Sequence, residues 1–173
     1  MKKLLATAMI LLVALAACGK PDAGNLSGSA PDVMTQLLAE TAAALPANDV
    51  PKTEEVALTA DMAAQVGLTA AQFTDLVVDG TISRAMIMTV PHEMVVILAK
   101  DVSAATQLKA AIAAKYDPKK WICVFPEQAS VVESGAYVLL VAGTKAYAMA
   151  ATDSFAKLAG SVGTINTFFT GAG

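Results

Sequence analysis

Met94-Val95-Val96-Ile97-Leu98-Ala99 and Tyr137-Val138-Leu139-Leu140-Val141-Ala142 are the two stretches on which the fold turns. Successive side chains of a strand point to opposite faces, so a run that is apolar at every position needs cover on both. Each stretch therefore reads as a central strand. Upstream of the first, from Thr81, the period is two, with Ile82, Arg84, Met86, Met88 and Val90 on one face and Pro91-His92 at the turn. Upstream of the second, residues 129–133 form a strand and Ser134-Gly135 a tight turn.

A helical pattern follows each central strand. After the first, Asp101 and Ser103 compete as N-cap, and Val102, Ala105, Leu108, Ile112 and Tyr116 face the sheet while Lys109 and Lys115 face water, up to Pro118. After the second, Thr144 opens a helix with Tyr147, Ala151, Phe155 and Leu158 inward and Gly160 past its end. The two halves resemble one another as an internal pseudo-duplication. Hairpin, helix, hairpin, helix predicts an α+β domain: an antiparallel sheet of about four strands with two long helices on one face. The other face must then be covered by the N-terminal helices or left partly open, with an apolar strip near Pro91-His92.

Those N-terminal pieces are short. Pro31 and Asp32 open a helix with Val33, Leu37, Leu38, Thr41 and Leu45 in register, ending before Pro46, and residues 48–52 form a break. Thr59 heads a helix that stops at Gly67, and Thr69 with Gln72 makes a capping box around Phe73. Residues 119–125 are a short helix or an irregular crossing, anchored by Trp121 and Phe125. Residues 161–173 read as a small-residue tail in which Ile165, Phe168 and Phe169 offer something to dock.

Ahead of the domain, Lys2 and Lys3 precede an apolar run over residues 4–15, the length of a signal h-region and too short to span a bilayer comfortably. Leu15-Ala16-Ala17-Cys18 resembles the lipobox of bacterial lipoproteins. That resemblance implies cleavage before Cys18 and a diacylglyceryl group on its sulfur, which holds a protein on the outer face of the cell membrane without a spanning helix. The other reading is an ordinary signal cut after Ala17. The predicted organisation is a signal peptide over residues 1–17, a flexible Gly/Ser-rich linker over 18–30 with a reach of about 20 Å, one domain over 31–160 and the tail.

The 173 residues suffice for one domain with a core. Cleavage before Cys18 removes two lysines and no acid, taking the formal charge from −3 to −5. No basic patch is left to neutralise phosphates, so a nucleic-acid partner is disfavoured. With Cys18 acylated, Cys123 has no partner for a disulfide, and its neighbours Ile122 and Val124 mark a buried thiol. One histidine and one such cysteine make no spaced metal cluster, so no metal or cofactor is expected. His92-Glu93 reads as a solvated turn. No Gly-x-Ser-x-Gly elbow accompanies His92, and Gly160-Ser161-Val162-Gly163 lacks the lysine of a phosphate loop. No catalytic residue is assigned.

Leu45-Pro46, Gln65-Val66-Gly67-Leu68, the run of residues 94–100 into a helix, and Gly135-Ala136-Tyr137-Val138-Leu139-Leu140-Val141 before a final helix resemble the lipoprotein family called domain of unknown function 4358. The resemblance spans roughly residues 33–158 and rests on structural motifs. It implies no activity, because the family has none assigned, and this chain departs from it by using alanine where the family's helices are rich in lysine and glutamate.

The resulting expectation is a membrane-anchored binding or protein-interaction module, not an enzyme. Its expected partners are membrane lipid through Cys18, and an envelope protein or cell-wall polymer. Met86, Met88, His92 and Met94 mark the candidate partner surface, although methionines flanking a hairpin also suit a core. Lys119, Lys120 and Trp121 form a basic and aromatic cluster suited to anionic polymer or headgroups, or simply a core tryptophan beside solvated lysines. The alternative is a small cell-wall hydrolase using carboxylates. A deep pocket gathering two or more of Glu54, Glu55, Asp75, Asp79, His92 and Glu127 would favour it.

Overall fold

β3 (Glu93–Ala99) and β5 (Tyr137–Gly143) pair antiparallel at the middle of the sheet, with Val96 opposite Leu139. The computed structural model describes residues 25–87, 90–121 and 124–170. Cys18, Met88 and Cys123 lie outside the described residues. β2 (Val77–Ala85) flanks β3, β4 (Gln128–Ser134) flanks β5, and β1 (Thr53–Ala57) and β6 (Asn166–Thr170) close the edges. The order is β1-β2-β3-β5-β4-β6, every neighbour antiparallel.

The α+β class and the antiparallel sheet are as the sequence predicts, but the strands number six. The additional two come from the segment after the Pro51 break and from the presumed tail. Edge strands touch the core on one side and carry few apolar residues: in β1 only Val56 packs on the core, and β6 contributes Phe168 and Phe169.

Helices α1 (Ala30–Ala43), α2 (Ala70–Leu76), α3 (Val102–Lys115) and α4 (Lys145–Ala159) cover both faces. Val95, Ile97, Ala99, Val138 and Leu140 meet Leu108 and Ile112 of α3, together with Val66 from the 3-10 helix Ala60–Val66. Met94, Val96, Leu139 and Val141 meet Val33, Met34 and Leu37 of α1 and Ala148, Ala151 and Phe155 of α4. The two long helices therefore lie on opposite faces, not one. α3 joins β3 to β4 and α4 joins β5 to β6, and both connections step the same way across the sheet. Because β3 and β5 run antiparallel, two such crossovers can share the favoured right hand only with their helices on opposite sides.

This arrangement leaves no open sheet face, so the predicted apolar strip on the sheet itself is absent: Val95, Val96 and Ile97 are all fully buried. Met94 is likewise core, not surface. Residues 25–30 do not act as a free linker. Asn25 N–H donates to Ala159 O (2.8 Å), Tyr137 OH donates to Gly28 O (2.6 Å), and Ser29 with Asp32 forms the capping box that starts α1. Lys109, expected in water, is buried beside Glu133, while Phe125, expected as an anchor, is exposed.

Candidate functional site

The end of the sheet where β2 finishes and β3 begins carries the features that the core does not absorb. Residues 86–92 connect the two strands. Their start and finish are pinned: Met86 N–H donates to Lys52 O (3.1 Å) and Ala85 N–H to His92 O (3.3 Å). Between these anchors, Met86 and Ile87 are 65% and 61% exposed and Val90 is also exposed. Three large apolar residues are thus exposed on one short connection.

Clefts open on either side of this connection. The first, about 430 Å³, lies between the connection, residues 48–52 and the N-terminus of α4, with Pro51, Ile87, Val90, His92, Ala146 and Tyr147 among its walls. The volume falls within the range of ligand sites. His92 is not in a solvated turn. It is buried against Tyr147, the rings edge to face with centroids 4.4 Å apart, and its Nε2 has no hydrogen-bond partner among the described residues. Burial drives its pKa from the usual value down to about 4, so the ring is neutral near pH 7. Burial, followed by the charge of Glu55, raises the Tyr147 hydroxyl well above its usual range.

The second cleft, about 510 Å³, is more polar and is lined by Glu54, Gln65, Arg84, Glu93, Lys120 and Trp121, together with the connection and His92. Its charges are already paired. Glu54 Oε1 accepts from Arg84 Nε at 2.9 Å. Lys120 Nζ donates to both Glu93 oxygens at 2.7 Å and to Gln65 O at 2.9 Å, and sits 4.8 Å from the Tyr116 ring centre and 5.0 Å from that of Trp121. Tyr116 OH donates to Glu93 Oε1 (3.3 Å), and burial together with Glu93 raises the hydroxyl's pKa. Of the expected basic and aromatic cluster, Lys120 and Trp121 therefore belong to a partly buried network that ties residues 117–121 to β3, and Lys119 remains exposed.

Of the six candidate catalytic groups, Glu54 and His92 line one cleft together. Asp79 accepts from the N–H groups of Ala30 (3.0 Å) and Gly80 (2.8 Å), and Glu127 Oε2 accepts from Lys145 N–H at the start of α4 (2.8 Å). Glu55 receives Thr53 and Ser83 hydroxyls, and Asp75 is exposed. Among the described residues no group of three or more His, Cys, Asp or Glu converges as metal ligands, and no helix is long and apolar enough to cross a membrane.

Of the candidate partner surface, Met86 is exposed, His92 is buried in a cleft wall and Met94 lies in the core. The cleft residues that sequence reasoning missed are Pro51, Ile87 and Tyr147. Ile87 could have been found, since a strand period that puts Met86 and Met88 on one face leaves Ile87 on the other with nothing to cover it. No protein-family model matches the chain, and no curated protein or solved structure matches it either.

Proposed function

We propose that this chain is a membrane-anchored extracytoplasmic lipoprotein whose domain is a non-catalytic binding or protein-interaction module. The observation that carries the reading is the placement of the apolar cleft relative to Asn25, the first described residue. Asn25 is held at the C-terminal end of α4, whereas the cleft and the exposed Met86 and Ile87 gather at its N-terminal end. The 15 residues of α4 separate those poles by about 22 Å. A lipid on Cys18, seven positions before Asn25, tethers the first pole and turns the second toward the envelope. Membrane lipid is then one partner and an envelope protein or wall polymer the other.

Intact-mass analysis of the membrane-bound protein tests the anchor: residues 1–17 are absent and Cys18 carries a diacylglyceryl mass, and an unmodified Cys18 refutes it. Pull-down from native membranes tests the module. Met86→Ser with Ile87→Ser abolishes capture of a specific partner, and unchanged capture removes the connection from the interface.

A second reading, a small hydrolase of cell-wall sugar or peptide, draws on Glu54 and His92 sharing one cleft. Against it, Glu54 Oε1 is already engaged by Arg84 Nε at 2.9 Å and His92 is buried. Release of wall fragments by the purified protein, lost in Glu54→Gln, would establish the hydrolase in place of the binding module.

A further inference from the structure

The sheet has two edge strands, and they differ. β6 meets β4 with a register shift that leaves Phe168 without a pairing position, a bulge of the kind that blunts an edge. β1 meets β2 in unbroken register, from Thr53 opposite Ala85 to Ala57 opposite Thr81. Among the described residues no strand lies on the outer side of β1.

That register fixes which backbone groups of β1 are free. Lys52 O accepts from Met86 N–H (3.1 Å) and Leu58 N–H donates to Gly80 O (2.9 Å). In an antiparallel ladder the bonded residues recur every second position, so Glu54 and Val56 direct their N–H and C=O groups to β2. Thr53, Glu55 and Ala57 direct theirs outward, a row of three donors and three acceptors on which a further strand can pair. Glu55 and Ala57 are exposed.

Charge decides which kind of strand fits. Glu54 is already engaged by Arg84 at 2.9 Å. Glu55 Oε1 accepts from the hydroxyls of Thr53 (3.3 Å) and Ser83 (3.4 Å), but among the described residues its carboxylate forms no ion pair. A second copy of this chain is a poor occupant: antiparallel pairing of β1 with β1 through all three outward residues sets Glu55 directly against the other copy's Glu55, and like charges so placed repel. A cation opposite Glu55 turns the same geometry into an attraction. Backbone bonds then supply the affinity and the exposed ion pair the selectivity.

We propose that the β1 edge takes up an extended segment of a partner protein as an added strand, with a lysine or arginine of that segment opposite Glu55. The proposal rests on the reading of the domain as an interaction module and gives it a contact surface separate from the cleft.

The test is an NMR titration of the full chain with the blocked peptide Thr-Val-Thr-Lys-Thr-Val-Thr, the same peptide with glutamate in place of lysine, and a lysine peptide N-methylated at alternate residues. At millimolar concentration the lysine peptide shifts the amides of Thr53, Glu55 and Ala57 and slows their hydrogen exchange. It binds about fivefold more tightly than the glutamate peptide, the difference between an attractive and a repulsive exposed pair, and the N-methylated peptide does not bind. Glu55→Lys reverses the preference. Ala57→Pro removes one outward N–H while leaving the β1–β2 bonds in place, so the fold survives and affinity for the lysine peptide falls about fivefold. No response at residues 53, 55 and 57, shifts centred on residues 166–170, or a preference that Glu55→Lys leaves unchanged overturns the proposal. So does protection of those three amides by self-association of the chain without peptide. The two readings fail separately. Peptide binding at β1 without partner capture by Met86 and Ile87 upholds the edge and removes the cleft side; capture that survives Glu55→Lys and Ala57→Pro, with no peptide binding, upholds the module and removes the edge.

Discussion

His92 couples the cleft to pH. Its folded pKa of about 4 lies below the ordinary value of 6.5, with burial as the cause. Between those two values the unfolded chain takes up a proton that the folded chain refuses. Stability is therefore complete above about pH 6.5 and falls as pH drops toward 4, by at most on the order of 3 kcal/mol. Urea melts at pH 7 and pH 4.5 check this, and His92→Gln flattens the difference. Gly67 acts through the backbone. It closes the 3-10 helix at a φ of 81°, and a Cβ there would stand 2.6 Å from Tyr116 N and 3.0 Å from Lys115 C. Backbone atoms cannot swing aside, so Gly67→Ala costs about 2 kcal/mol or more, read as a lowered Tm. The stop at Gly67 was legible in the sequence, because a glycine after an apolar helical run is a local signal; its contact with the end of α3, 48 residues on, was not.

At the scale of elements, caps and turns were legible because their chemistry is local. Thr69 and Gln72 form the predicted capping box, Asp101 wins over Ser103 as the cap of α3, and Thr144 caps α4. The α1 cap falls at Ser29, whose hydroxyl accepts from Asp32 N–H while the Asp32 carboxylate accepts from Ser29 N–H. The cap and the proline at the second helical position fix where α1 begins. Ser29→Ala costs about 1 kcal/mol, measurable by chemical denaturation. An unchanged midpoint would mean that packing of Val33 and Leu37 alone sets the start of the helix. β1 and β6 were not legible, since an edge strand is selected by the unpaired backbone of its neighbour and not by its own pattern.

For the molecule as a whole, the sheet separates two apolar layers, each sealed by helices from a different part of the chain. Leu139 and Leu140 are adjacent in β5, both fully buried, and belong to opposite layers. Leu139→Ala and Leu140→Ala are each expected to cost about 3 kcal/mol in equilibrium unfolding. A domain with one open sheet face would make one of the two cheap, so a large inequality would contradict the sealed arrangement. The sequence by itself determined the central strands, the α+β class, the caps of α2 and α4 and the two rival caps of α3, because each follows from periodicity or from contacts a few residues apart. Only the tertiary structure decided that α3 and α4 lie on opposite faces, that 53–57 and 166–170 are strands, that Lys109 and His92 are buried, and that the clefts flank the β2–β3 connection. Those outcomes depend on strand order and direction, which bring together residues such as Pro51, His92 and Tyr147 from three parts of the chain, and no local pattern encodes such a meeting.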